Sequence, residues 1–247
     1  MSSWGNIQTV AKRELGGYFS SPVAYVFIVI FLLLAGFFTF MAGGFFERGQ
    51  ASLDSFFTWH VWLYLFLVPA VGMRLWAEER RVGTLELLLT MPITTWQAIV
   101  GKFLASWVFL GIALVLTFPV VVTVNWLGSP DNGVIFAAYI GSFLMAGAYL
   151  AITSMTSAMT RNQVISFIIS VVLCLFLILC GFPPVTNLLT RLDCPKLVDA
   201  VAAFSVLTHF DGFSKGILDS RDIIYFLSII GFSLFTTGVI IRGHRAG

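Results

Sequence analysis

The stretch "AEERRVGTLELLLTMPI", residues 77–93, sets Glu78, Glu79, Arg80 and Arg81 between long apolar runs and just ahead of a leucine-rich turn. Charges at mid-bilayer cost roughly 2.5–3.5 kcal/mol each, so four in a row mark a point where a chain leaves an apolar phase. The fold therefore depends on what the flanks are. Working outward, the intervals free of Asp, Glu, Lys and Arg are 15–46, 55–73, 103–130, 132–160, 162–190 and 223–241, with lengths of 32, 19, 28, 29, 29 and 19 residues. A helix needs about 20 such residues to cross hydrocarbon. The composition agrees: 58% of residues are apolar and 11% charged, whereas soluble domains carry about 25% charged residues. Closed barrels would show alternating segments of about ten residues, and no such period occurs.

The chain thus reads as an all-α membrane protein with six transmembrane helices, at about 23–46, 57–76, 98–125, 133–160, 163–185 and 222–241. The run from Val23 to Phe46 follows Lys12 and Arg13 like a signal sequence but exceeds the 7–15 residues of a signal core, so it is an uncleaved first span. Ahead of it, Trp4, Ile7, Ala11, Leu15 and Tyr18 recur at steps of three and four. That spacing predicts an N-terminal amphipathic helix over 1–22 lying at the membrane interface, with the six-helix domain filling 23–247. Between the fifth and sixth spans, Pro183 to Asp222 is too polar to cross a membrane and too apolar for a free loop. It is expected to form an outer re-entrant segment or helical cap.

Six spans put both termini on one side. With the termini inside, the inner segments hold Lys12, Arg13, Arg74, Arg80, Arg81, Lys102, Arg161, Arg242 and Arg245, against Arg48, Arg191, Lys196, Lys215 and Arg221 outside. Lys and Arg near span ends set orientation, so both termini are expected in the cytoplasm and the protein in the inner (plasma) membrane as a multi-pass protein. Pro69 and Pro119 fall within the second and third spans, where they are expected to kink the helices. The fourth span is rich in Gly, Ala and Ser, which lets helix backbones approach closely.

Little points to bond-making chemistry. Cys174 and Cys180 sit in the fifth span and Cys194 in the outer loop, with no CxxC and no Cys/His cluster, so neither a metal site nor a catalytic residue is expected. His60, beside Trp59 and Trp62, reads as an interfacial residue. No GxxxxGK[ST] motif is present, so the chain is not expected to be an enzyme or to hold a nucleotide, and no nucleic-acid partner is expected. An ion-coupled secondary transporter would place ionisable groups near mid-bilayer, and the six intervals contain none. A non-transporting scaffold is the other alternative.

In the opening stretch, Gly83 permits a sharp turn, Thr84 can cap a short helix and Glu86 lies in its first turn, where negative charge is favoured. Leu85, Leu88 and Leu89 share a helical face, and Pro92 ends the element. Thr94 and Gln97 form a capping-box pair for the third span. The leucines need burial, against the chain's own inner ends, the membrane surface or a soluble partner.

The run "MRLWAEERRVGTLELLLTMPI" from Met73 to Ile93 resembles the hallmark of ABC-2 type transporter permeases, in which a charged pair and a Gly-Thr-Leu-Glu step precede Leu-Leu and a Pro. "KRELGGYFSSPVAYV" from Lys12 and "HFDGFSKGILDSRDIIYFLS" from His209 resemble the same family, in particular its gliding-motility-type branch. The resemblance implies a transmembrane half that pairs with a second permease copy, a homodimer or a related chain. Each half would dock on one of two copies of a separate ATPase subunit that carries the ATP and Mg, and export is the expected direction. It further implies a cytoplasmic coupling helix after the second span, with Glu79, Arg80, Gly83, Thr84, Leu85, Glu86 and Leu88 contacting the ATPase and Arg161 with Asn162 as a second contact. In the outer cap it singles out His209, Phe210, Phe213, Gly216, Asp219 and Asp222, and it allows for an accessory outer or periplasmic protein.

Overall fold

The computed structural model describes residues 3–49, 51–86, 93–190 and 200–243. Among them every regular element is helical, as expected. Helix α1 spans Ser3–Ser20. Ser21 breaks the chain in extended geometry, its hydroxyl accepts from the Val23 N–H, and Pro22 opens α2, Pro22–Phe37. Pro is tolerated there because a helix's first N–H has no intrahelical partner. A π-helical turn, Phe38–Ala42, extends α2 outward before the chain reverses into α3, Asp54–Gly72.

Pro69 lies inside α3 without breaking it, and the break comes four residues later at Met73, which leads into α4, Arg74–Val82. Gly83 then ends α4 with φ +78°, a left-handed backbone that suits glycine. The remainder of the expected coupling helix, including Leu88, lies outside the described residues. The Thr94–Gln97 capping box is present at the start of α5, Thr95–Val115. Pro119 does more than kink the third span: α5 stops, the chain turns at Leu116 and Thr117, and a separate α6 runs Phe118–Leu127.

Helix α7, Asn132–Met159, is the axis of the bundle and packs against α3, α4, α5 and three of the helices that follow it: those at Gln163–Leu179, Val206–Ser214 and Ser220–Gly243. Its small residues face these neighbours. A Cβ added at Gly141 would lie 2.6 Å from Phe213, and one at Gly147 would lie 2.8 Å from Trp107. The small-residue surface of the fourth span is thus consumed by packing within the chain.

Asn162 caps α8, Gln163–Leu179, accepting from the Val164 N–H at 2.9 Å. At 17 residues α8 stops before the expected boundary at 185, because Gly181 sits hard against Ser205 and Pro183 and Pro184 cannot continue the helix ladder. The outer segment holds α9, Pro183–Thr190, and α10, Val206–Ser214, and α11, Ser220–Gly243, closes the fold. Among the described residues, five helical stretches are long and apolar enough to cross a membrane: Pro22–Glu47, Asp54–Val82, Thr95–Leu127, Asn132–Met159 and Ser220–Gly243. The shorter α8 is the sixth apolar run, at about 25 Å long by its rise per residue.

Two expectations change in detail. His60 is not interfacial: it is fully buried among Phe31, Phe56, Phe57 and Tyr64, with Nδ1 2.9 Å from the Phe56 carbonyl. The rings of Phe31 from α2 and of Phe56, Phe57 and Tyr64 from α3 pack against it. Helix α1, in addition, follows α5 closely. Asn6 donates to Gln97 at 3.3 Å, Val10 packs on Gly101, and the Tyr18 hydroxyl meets Ser106 at 2.9 Å.

Candidate functional site

The four charges of the opening stretch lie on a helix, and its period separates them. Leu75, Trp76 and Ala77 are buried on the inward face of α4, Glu79 follows Leu75 and Trp76 on that face, and Arg81 and Val82 are exposed. The N–H groups of Trp76 and Ala77 belong to the first turn of α4 and have no intrahelical acceptor. Ser157 of α7 supplies one: its hydroxyl accepts from Trp76 at 3.1 Å and Ala77 at 3.0 Å, and donates to the Met73 carbonyl at 2.8 Å. Ser154 accepts from the Trp76 indole at 3.0 Å. The start of α4 is therefore capped by a neighbouring helix.

Its far end is held by charge. Lys102 of α5 is buried, with 5% side-chain exposure, and its Nζ lies 2.7 Å from Glu79 of α4 and 3.5 Å from Glu14 of α1. The same ammonium donates to the Leu75 carbonyl at 3.3 Å and lies 5.3 Å from the centroid of the Trp76 ring. A buried ammonium without counter-charge costs several kcal/mol, so this position dictates partners, and they come from two other helices. Arg80 donates to the Ala158 carbonyl near the end of α7, and the charge of Arg161, in the following turn, acts on it. Tyr18 completes the junction. Burial raises its phenol above the ordinary value, so it stays a neutral partner of Ser106.

The residues expected to contact an ATPase therefore divide. Glu79 and Arg80 are engaged within the chain, and Leu85 is buried in the chain's own apolar cluster. Gly83, Thr84 and Glu86 are exposed directly after α4, and Arg161 and Asn162 are exposed in the turn beside it. The structure brings the two segments expected to meet the ATPase together. Sequence reasoning missed Lys102 as a junction, although the signal was there: Ala98, Lys102, Ala105 and Phe109 recur at steps of four, three and four, and all are buried on one stripe of α5.

At the outer end, Phe210 and Phe213 of α10 are buried, Phe213 against Gly141. His209 presents Nδ1 to Asp222 at 2.7 Å and Nε2 to the Ala203 carbonyl at 3.1 Å, while its ring stacks on Tyr225 at 3.9 Å. Tyr225 in turn donates to the Phe204 carbonyl at 2.6 Å. Gly216 turns the chain with φ +81° against Val134, and Asp219 accepts from the Arg221 N–H at 2.9 Å at the entry to α11. Phe213 and Gly216 thus latch α10 and the turn after it to α7, and His209 with Asp222 latches α10 to α11, whereas Asp219 makes only local bonds at the entry to α11.

No curated protein matches the chain. A family model for ABC-2 family transporter proteins matches residues 8–222, from within α1 to the first turn of α11. The matched region contains both the inner junction and the outer latch. The chain accordingly belongs to the ABC-2 transporter family, as a multi-pass permease subunit of an ABC transporter that works in a lipid bilayer with an ABC ATPase as its partner.

Proposed function

We propose that this permease is one half of an exporter in the inner membrane, with both termini in the cytoplasm, and that its ATPase docks on the segment 78–92. Helix α4 then acts as the rigid arm and the exposed turn of Gly83, Thr84 and Glu86 as the surface the ATPase meets. Arg161 and Asn162 form the second contact, and Leu88 extends the first. Glu79 and Arg80 serve the coupling from behind by fixing the arm to α5, α1 and α7. ATP and Mg are held by the partner, two copies of which serve two permease copies.

The observation that carries this reading is the junction at Lys102. A membrane-surface helix would not need its base clamped by a buried ion pair, a cation over a Trp ring and a cap from another span. A lever must be clamped if a push of a few ångströms at its tip is to move α5 and α7 rather than bend the loop. The outer latch is placed to hold the opposite end of α7 and α11 while the inner end moves.

The test is purification of the intact permease from membranes, followed by mass measurement of the complex. Two permease chains with two copies of a soluble ATPase are expected, and hydrolysis should depend on the assembled complex. A lone permease that recruits no ATPase when the two are co-expressed would contradict the reading.

A further inference from the structure

A cleft of about 390 Å³ opens beside the Lys102 junction, lined by Glu14, Tyr18, Ser21 and Ala24 from α1 and the start of α2, by Arg74, Leu75, Glu78 and Glu79 from α4, and by Lys102. Its charges are not balanced internally. Lys102 is committed to Glu79 and Glu14. The half-buried Arg74 guanidinium forms no hydrogen bond or ion pair with any described residue. Glu78 reaches Arg81 only at 3.7 Å, and Oε2 of Glu79 is enclosed without a donor among the described residues. Arg74 and Glu78 are four residues apart on one helix face, in the order that pairs less well than its reverse. Among the described residues the cleft therefore presents, side by side, a cation without a hydrogen bond or ion pair and a carboxylate held only by a long contact.

We propose that this cleft binds a phosphate joined to a primary ammonium, supplied by the headgroup of phosphatidylethanolamine in the inner leaflet. Arg74 meets the phosphate through its forked donors, and Glu78 accepts from the ammonium, with the enclosed Glu79 oxygen adding negative potential. The wall carries three carboxylates against two cations, so a purely anionic headgroup is disfavoured. Tyr18 is its one aromatic ring, which is too few for the aromatic cages that hold quaternary ammonium groups. A lipid source follows from the level of the cleft. Arg74 is the first charge after the second span, and Ala24, on the same cleft, belongs to the first turn of the first span. The inner-leaflet source rests on the orientation proposed above, and the site shares Glu78 with the proposed docking segment, whereas Arg74 lies outside it.

The experiment titrates the purified full-length permease in detergent with short-chain phosphatidylethanolamine, phosphatidylglycerol and phosphatidylcholine, and separately with phosphoethanolamine and inorganic phosphate. It reads the thermal midpoint and bound lipid by native mass. Phosphatidylethanolamine is expected to bind at one site per chain, roughly tenfold more tightly than the other two lipids, as one charge-assisted contact implies. Arg74→Gln should abolish that binding while leaving the ligand-free midpoint nearly unchanged, since the guanidinium forms no hydrogen bond or ion pair among the described residues. Glu78→Gln should keep phosphate recognition and erase the preference for phosphatidylethanolamine over phosphatidylglycerol. Protection by phosphoethanolamine with no lipid retained, lost in Arg74→Gln, supports the same chemistry from a soluble source. Equal lipid binding by wild type and Arg74→Gln, or equal binding of all three lipids by wild type, overturns the proposal.

Discussion

Replacing Lys102 with methionine removes the charge that joins α1, α4 and α5 while keeping most of the side-chain volume. What remains is Glu79 and Glu14, 20% and 23% exposed, facing each other across the vacated ammonium position. Breaking a fully buried pair costs about 3–5 kcal/mol, and partial access of water to these carboxylates lowers the figure to about 2–3 kcal/mol. For a chain of this length that corresponds to a fall in thermal midpoint of roughly 4–12 °C. The assay is a thermal melt of the purified permease, read beside ATP hydrolysis by the assembled complex. The diagnostic variant is Lys102→Met combined with Glu79→Gln. An ion pair replaced by neutral groups of similar volume is often neutral in stability, so the double variant should regain most of the lost midpoint. Hydrolysis should stay uncoupled from transport in both variants, because the clamp on α4 is gone. A midpoint within 1 °C of wild type for Lys102→Met, or a double variant less stable than the single, would refute the ion-pair reasoning.

Three further outcomes follow from the packing and topology. Gly141→Ala should destabilise the fold by about 1–3 kcal/mol, since the new methyl would sit 2.6 Å from Phe213, and a melt checks it; Phe213→Leu in the same chain should recover part of the loss. Asp222→Asn should loosen α10 from α11 by weakening the contact at His209 Nδ1, which hydrogen exchange at residues 206–214 would register while the inner helices stay protected. A cysteine placed at the exposed residue 131 should react with membrane-impermeant reagents applied from outside, whereas tags at residues 2 and 246 should be protected.

The helices were legible because a bilayer makes every charge informative. The intervals between Asp54 and Arg74, or between Asp131 and Arg161, mark α3 and α7 almost to the residue. Interruptions were harder to see. Pro119 opens a new helix whereas Pro69 lies within one, and at the break Thr117 meets the Tyr139 hydroxyl at 2.8 Å, a partner that no local pattern reveals. The inner site was legible as a place but not as a mechanism. Counting Lys102 as one more inner-face cation concealed its position on the buried stripe of α5, and counting Glu79 and Arg80 as surface charges concealed that the period of α4 turns Glu79 toward that lysine. Glu14 and Lys102 are 88 residues apart, so no local pattern joins them. His60 was misplaced for the same reason, since the rings that enclose it come in part from another helix.

The most direct test of the coupling proposal uses Glu86, which is exposed one turn beyond the clamped helix. Glu86→Arg reverses a charge at the proposed ATPase surface without touching the Lys102 junction, so the permease should fold and insert as before. Breaking a charge-assisted contact buried at an interface costs about 2–5 kcal/mol, enough to lower recovery of the ATPase at least tenfold in a pull-down at matched expression. The expected result is that loss, or retention of the ATPase with hydrolysis no longer driving transport. Equal recovery of the ATPase, together with equal substrate-stimulated hydrolysis and equal transport, would contradict the assignment of this turn as the coupling surface.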